Sequence, residues 1–356
     1  RRFALELAGA ASGRFVLVPV SRKMENAMKY RTLGQTELKV STVAMGCWAI
    51  VGDATWGPQD EEDAVDAIET AMDEGINFFD TAEAYGNGYS EELLGNTLSN
   101  RREEIVIASK VSASHLRPDE IKRSCEKSLK RLQSDYIDLY QIHWPNPDIP
   151  IEDTMGALER LKTEGKVRVI GCSNFGPRDL KELLAAGRVE TNQVAYNLLW
   201  RGIEAELQDL CVNNDVSILP YCPMQQGLLA GKFSDPDEVP EGRARTRHFS
   251  DDRPQSRHGE AGAEDLTFEA IEDVRRVAED LGEPMVDVAL AWVLHQPGVA
   301  SVLAGMRNSE QAHQNARAGD LQLSGETIQR MNEATAPVKK HFGGSLDMWQ
   351  SESRLR

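Results

Sequence analysis

Basic residues are the scarce class in this chain: 40 Lys and Arg stand against 57 Asp and Glu, a formal net charge of −17 over 356 residues. That excludes a protein that grips nucleic acid through overall positive charge, and anionic partners gain nothing from its general field. Cysteines are few and odd in number, and Cys47, Cys125, Cys172, Cys211 and Cys222 have no CxxC spacing. A disulfide framework and a zinc ribbon are both excluded, and a reducing, cytoplasmic setting is expected. The seven histidines lack HExxH or similar ligand spacing, so no catalytic metal is expected. No run of 18 apolar residues is present, so no membrane partner is expected, and no repeat of 20 to 50 residues suggests a solenoid. What remains, 40% hydrophobic and 27% charged, is a globular composition able to bury a large core.

The opening RRFALELAGAASGRFVLVPVSRK starts basic, but Glu6 and Arg14 interrupt its apolar stretch. Residues 1–27 are therefore expected to be a leader or upstream extension outside the fold, and 28–356 a single barrel domain. From Lys29 onward β-branched runs alternate with helical spacing, the pattern of βα units on a parallel sheet. The candidate strands are Val43–Trp48, Asn77–Ala82, Ile105–Lys110, Ile137–His143, Arg168–Asn174, Thr191–Tyr196, Ser217–Cys222 and Ser301–Gly305. Between them, Val65, Ile68 and Met72 before Gly75, then Ile121, Cys125, Leu129 and Leu132, then Met155, Leu158 and Leu161 before Gly165 keep helical spacing. Glycine just past the last turn is the expected stop. Eight strands, each followed by a helix, predict an α/β protein of the (β/α)8 TIM barrel type, with the active site at the strands' C-terminal ends. Two short runs around Gly34-Gln35 predict a hairpin plugging the barrel floor. A polar insertion between Lys232 and Asp265, the long loop after strand seven, contains Arg243, Arg245, Arg247, Arg253 and Arg257. It is either a lid or a disordered excursion.

In a barrel, strand two delivers Asp80, with Tyr85 close behind; strand three delivers Lys110 and strand four His143. A free phenol titrates near ~10, and a nearby ammonium favours its phenolate and lowers that value. Lys110, held by Asp80, is expected to do so for Tyr85. A neutral His143 would orient a carbonyl oxygen, leaving Tyr85 as general acid. Any one of these residues alone more often caps a loop or faces solvent. Their conjunction on three successive strands, with Lys110 ending the apolar run IVIASK, favours chemistry.

The strings FFDTAEAYGNGYSEELLG, IVIASK, IDLYQIHWP, IGCSNF, NQVAYN and PYCPMQQGLLAGK, in this order, resemble the signature segments of the aldo-keto reductases, and the likeness runs from about Lys29 to Ala318. The resemblance, to bacterial-type members, implies a barrel that binds NADPH without a Rossmann fold and reduces aldehydes or ketones. The family's catalytic four fall on Asp80, Tyr85, Lys110 and His143. It further implies that Ser173, Asn174 and Gln193 hold the nicotinamide carboxamide and that Tyr221 stacks on its ring. Cys222, Met224, Gly227 and Leu228 would lie in the loop covering the pyrophosphate, with Lys232 adding charge, and Gly46 and Trp48 would form the floor of the site. At the adenosine end, Gly305, Arg307, Gln311, Gln314 and Asn315 match the segment after strand eight, where Arg307 and the helix start near Ser309 would meet the 2′-phosphate. Gln311 stands where many relatives have arginine, and Gln314 where glutamate is common. One cation is thus expected at the phosphate, and NADH is a possible second cofactor.

Other readings are weaker. Gly86-Asn87-Gly88 lacks the third glycine of a dinucleotide fingerprint, and GLLAGKF is one residue short of a P-loop. A Schiff-base role for Lys110 conflicts with an adjacent Asp80 that keeps it charged. The alternative from another class is a cofactor-binding sensor or partner module of the same fold, as in potassium-channel β subunits. Trp48, Trp56 and Trp144, with the tail around Met348-Trp349, are expected to wall a pocket for an apolar or ring-shaped carbonyl substrate. For the tail beyond, Arg354 and Arg356 could meet an anionic substrate or the cofactor, but a solvated tail is the favoured reading.

Overall fold

A computed structural model describes residues 28–356; the expected leader, residues 1–27, lies outside the described residues. The chain opens with a hairpin, β1 (Tyr30–Thr32) and β2 (Lys39–Ser41), paired antiparallel. Eight strands follow: β3 (Val43–Gly46), β4 (Phe78–Asp80), β5 (Val106–Val111), β6 (Ile137–Ile142), β7 (Val167–Ser173), β8 (Thr191–Ala195), β9 (Ser217–Tyr221) and β10 (Val302–Gly305). They form a closed parallel barrel in chain order, with β10 pairing both β9 and β3. Each agrees with its sequence-derived run within two residues at either end.

The surrounding helices are α1 (Glu61–Asp73), α2 (Tyr89–Leu98), α3 (Pro118–Leu132), α4 (Ile151–Thr163), α5 (Pro177–Ala186), α6 (Leu207–Asn213), α7 (Glu264–Leu281), α8 (Met285–Leu294), α9 (Ser309–Ala318), α10 (Gly325–Ala334) and α11 (Ala336–Phe342). Among the described residues no helix is long and apolar enough to cross a membrane. The glycine stop holds for α1 and α4, where Gly75 and Gly165 take φ of +86° and +76°. Helix α3 departs from it: Gln133 takes the left-handed position, at φ +51°.

Strand periodicity explains where the polar groups go, because alternate residues face the same side of a sheet. Low in the barrel the inward residues Ala44, Phe78, Val106, Ala108, Leu139, Val169, Leu219 and Leu303 form one apolar cluster, closed below by Leu33 and Val40 of the hairpin. The hairpin thus plugs the floor. Continuing along the same faces by steps of two, the strand tops present Gly46, Asp80, Lys110, Gln141, Ser173, Gln193, Tyr221 and Gly305. The outward residues, such as Val43, Met45, Phe79, Ile107, Tyr140, Ile170 and Ile218, pack against the helices in a second, larger cluster.

The insertion after β9 is a packed structure rather than a disordered excursion. Its Ala244, Thr246, His248, Phe249 and His258 are buried. Arg247 ties it to the tail: its guanidinium donates to the Ser345 hydroxyl and to the Asp347 carbonyl at 3.2 Å, and its backbone N–H to the Met348 carbonyl at 3.0 Å. The tail is exposed from Ser351 to Arg354, as expected of a solvated segment, but its end is anchored. The Arg356 carbonyl accepts from the Arg178 and Asp179 N–H groups at 2.8 and 3.0 Å, at the start of α5, and Arg356 Nε bonds Asp179 at 2.8 Å. Those partners lie in a distant part of the sequence, so local composition does not reveal them.

Candidate active site

A cavity of about 790 Å³ opens over the strand tops, roofed by the insertion and the tail. Beneath it, the fully buried Lys110 donates to Asp80 Oδ1 at 2.5 Å, to the Thr81 carbonyl at 2.9 Å and to the Tyr85 hydroxyl at 3.2 Å. Those three bonds use every hydrogen of the ammonium. The other carboxylate oxygen of Asp80 accepts from Gln193 at 2.8 Å and Gln141 at 3.2 Å. Tyr85 sits in the turn after β4, where Gly86 takes a left-handed φ of +57° that suits glycine. Its ring meets His143 edge-on at 5.8 Å and stacks on Trp48 at 6.1 Å, 19° from parallel.

The electrostatics follow from burial. Burial lowers the tendency of Lys110 to hold its proton, but Asp80 and Tyr85 together outweigh it and the net direction is upward. Burial pushes Tyr85 above its ordinary value; Lys110 pulls the other way without reversing it. The expected net lowering of the phenol is thus overturned, because loss of hydration outweighs one ammonium. His143 is pushed down to about 3, by burial first and then by the Lys110 charge, so its imidazole is neutral at neutral pH.

Next to the four, Asn174 donates to the His143 carbonyl and to the Ser173 hydroxyl, each at 3.0 Å, and accepts from the Tyr221 hydroxyl at 2.9 Å. Gly46, Trp48, Trp56, Trp144, Ser173, Asn174, Gln193 and Tyr221 all reach the cavity wall, as do Cys222, Met224, Gly227, Lys232, Gly305, Arg307, Gln311, Gln314 and Asn315. Leu228 does not: its side chain is 2% exposed and belongs to the apolar core. A leucine beside a glycine turn gains more from burial than from facing a polar loop.

At the far end, Arg307 is largely committed within the protein. It donates to Gln59 at 2.7 Å, to the Trp56 carbonyl at 2.8 Å and to the Pro58 carbonyl. The start of α9 is partly closed on itself, since Asn308 caps the Gln311 N–H at 3.0 Å and the Gln311 side chain accepts from the Arg307 N–H at 3.0 Å. The expectation of one cation there is corrected by the insertion, which brings Arg243 close enough to Arg307 to disfavour its charge, after burial. Arg245, Arg257, Trp349 and Arg354 also line the cavity. The density of arginines in the insertion was the available signal for Arg245 and Arg257, whereas Trp349 falls in the tail expected to wall the pocket.

The signature segments lie on the strand tops that bound this cavity, and residues 42–336 match the aldo/keto reductase family model. The chain belongs to that family of oxidoreductases. It is 32% identical over 295 residues to the aldo-keto reductase YhdN of Bacillus subtilis, across 80% of this chain and 86% of that protein. It is 32% identical over 337 residues to the NADH-specific methylglyoxal reductase of Escherichia coli, across 88% of this chain and 100% of that protein. A solved aldo-keto reductase from Klebsiella pneumoniae in complex with NADPH has a TM-score of 0.69 at 29% identity, covering 87% of this chain and 96% of that one.

Proposed function

We propose that this protein reduces an aldehyde or ketone to an alcohol using NADPH, with Tyr85 as proton donor and Asp80, Lys110 and His143 as its supporting groups. The observation that carries this is the Lys110 ammonium, 2.5 Å from Asp80 and 3.2 Å from the Tyr85 hydroxyl, at the base of an open cavity. A dinucleotide suits the residues present. The buried amide of Gln226 on the cavity wall has neither its nitrogen nor its oxygen hydrogen-bonded, and the buried indole N–H of Trp56 is likewise unpartnered, so a polar ligand has groups to meet. Ser173, Asn174 and Gln193 would hold the carboxamide, Tyr221 the ring face, Cys222 through Gly227 the pyrophosphate, and Lys232, Arg243 and Arg307 the adenosine phosphate. NADH is a second possible cofactor, as one relative is named NADH-specific.

When bound, the nicotinamide supplies a hydride to the carbonyl carbon. The neutral imidazole of His143 donates a hydrogen bond to the carbonyl oxygen and fixes its direction toward Tyr85. Because the phenol is held above its ordinary value, it carries its proton at neutral pH and gives it to that oxygen as negative charge develops. Lys110 stabilises the phenolate left behind until a solvent proton restores it. Loop and tail wall the same cavity, so 28–356 works as one unit in this account. The five cysteines, all free, suit a cytoplasmic setting.

The test is NADPH consumption with a panel of aldehydes and ketones, beside Tyr85→Phe with cofactor binding followed by fluorescence. Loss of general acid catalysis should lower kcat by roughly 10²–10⁴-fold, with cofactor affinity retained. Undiminished turnover in the variant would refute the assignment. Cofactor binding without turnover in either protein would favour a sensor module.

A further inference from the structure

This acidic chain concentrates positive charge where a substrate enters. Lys232, Arg243, Arg245, Arg257, Arg307 and Arg354 all reach the cavity wall. They divide into two groups: Arg243 adjoins Arg307 and Gly227 at the cofactor end, whereas Arg245 and Arg354 adjoin the tryptophans around Tyr85 and His143. The Arg245 guanidinium lies 5.7 Å from the Trp48 ring and 4.9 Å from the Trp349 ring. Trp48 in turn stacks on Tyr85 at 6.1 Å. Arg354 lies 3.8 Å over Trp144, the residue after His143. Each guanidinium therefore stands one tryptophan away from the pair that handles the carbonyl oxygen.

Ring faces cover the faces of a guanidinium and leave its N–H edge for an acceptor. The Nε of Arg245 is buried and has no hydrogen-bond partner. The nearby Asp53 supplies an opposite charge without bonding that Nε: the carboxylate accepts instead from the Trp48 indole at 2.9 Å and from the Thr55 and Trp56 N–H groups at 2.9 and 3.1 Å. Arg354 is fixed in place by Asp347 through Nε at 2.7 Å and Nη2 at 3.0 Å, which leaves Nη1 uncommitted on a residue that lines the cavity. A buried donor without a partner costs stability unless a ligand supplies one.

We propose that the carbonyl compound reduced here carries an anionic oxyacid group, and that Arg245 and Arg354 bind it; this rests on the reductase reading above. A carboxylate and a phosphate ester share the required chemistry, and paired substrates separate them. Succinic semialdehyde is compared with butanal, and glyceraldehyde 3-phosphate with glyceraldehyde, using the full chain and NADPH. One charged member of a pair should exceed its neutral counterpart in kcat/KM by roughly tenfold or more, and Arg245→Gln or Arg354→Gln should cut that ratio by roughly ten- to hundredfold, through KM. Arg245→Lys should restore part of it.

A second readout does not depend on turnover: quenching of tryptophan fluorescence by succinate or glycerol 3-phosphate in the presence of NADP+. Saturable quenching that weakens with salt and disappears in Arg245→Gln supports the anion site. Ratios near one in both pairs overturn the proposal while the reductase reading stands. No turnover of any substrate, with saturable quenching lost in Arg245→Gln, overturns the reductase reading and keeps the anion site. Absence of both turnover and quenching overturns the two together.

Discussion

Removing the ammonium of Lys110 tests how the polar top of the barrel is held. Lys110→Met keeps most of the stem volume but leaves Asp80 Oδ1 and the Thr81 carbonyl without their donor. Only the bonds from Gln193 and Gln141 to the other carboxylate oxygen remain. Breaking one side of a buried ion pair costs about 3–5 kcal/mol. Asp80→Asn keeps an acceptor for Lys110 and should fall at the low end, about 3 kcal/mol. If the two groups mainly serve each other, the double variant should cost well under the sum, with a coupling of about 1–3 kcal/mol. Urea denaturation of the four proteins, compared at equal m-values, measures this directly. Strict additivity, or a Lys110→Met variant within about 1 kcal/mol of the parent, would refute the view that this pair anchors the site.

Two further outcomes are expected. His248 is fully buried, bonded to the Leu199 carbonyl at 3.0 Å, and pushed down to about 4 by burial against an ordinary 6.5. Between those values the unfolded chain binds the extra proton and the native one does not, so stability falls as pH drops from 6.5 toward 4. His248→Gln should flatten that fall in urea midpoints measured across the range, and parallel curves would exclude the assignment. At Gly171 an added Cβ would lie 2.2 Å from Thr191 Oγ1 and 3.1 Å from Gln141 Cγ. Gly171→Ala should therefore cost about 1–3 kcal/mol by overpacking and disturb the Gln141 bond to Asp80; an unchanged denaturation midpoint would contradict this.

The barrel is legible in the sequence because each strand is a short β-branched run bounded by helical spacing, and both signals are local. Asp80, Lys110 and His143 could be picked out because strand ends and barrel geometry set where an active site lies. Three features escaped. The stop of α3 depends on a glutamine tolerating a left-handed turn, against glycine's general advantage. Tyr85 shifts upward because desolvation, a property of the packed molecule, outweighs the neighbouring charge visible in sequence. The placement of Arg245 and Arg354 on one cavity wall depends on the insertion and tail meeting there, and no local pattern encodes that meeting.

The stitch through Arg247 has a consequence for the order of assembly. Its partners Ser345 and Asp347 lie 98 and 100 positions further along the chain, and Arg356 reaches back 177 positions to Asp179. Contacts of such long sequence separation carry the largest loop-closure cost and form after the local βα units. During synthesis the strands would be in place while the roof was still missing, since the residues that complete it leave the ribosome after every barrel strand. The barrel's stability and its competence are thus acquired at different times, and the segment after α11 sets the second.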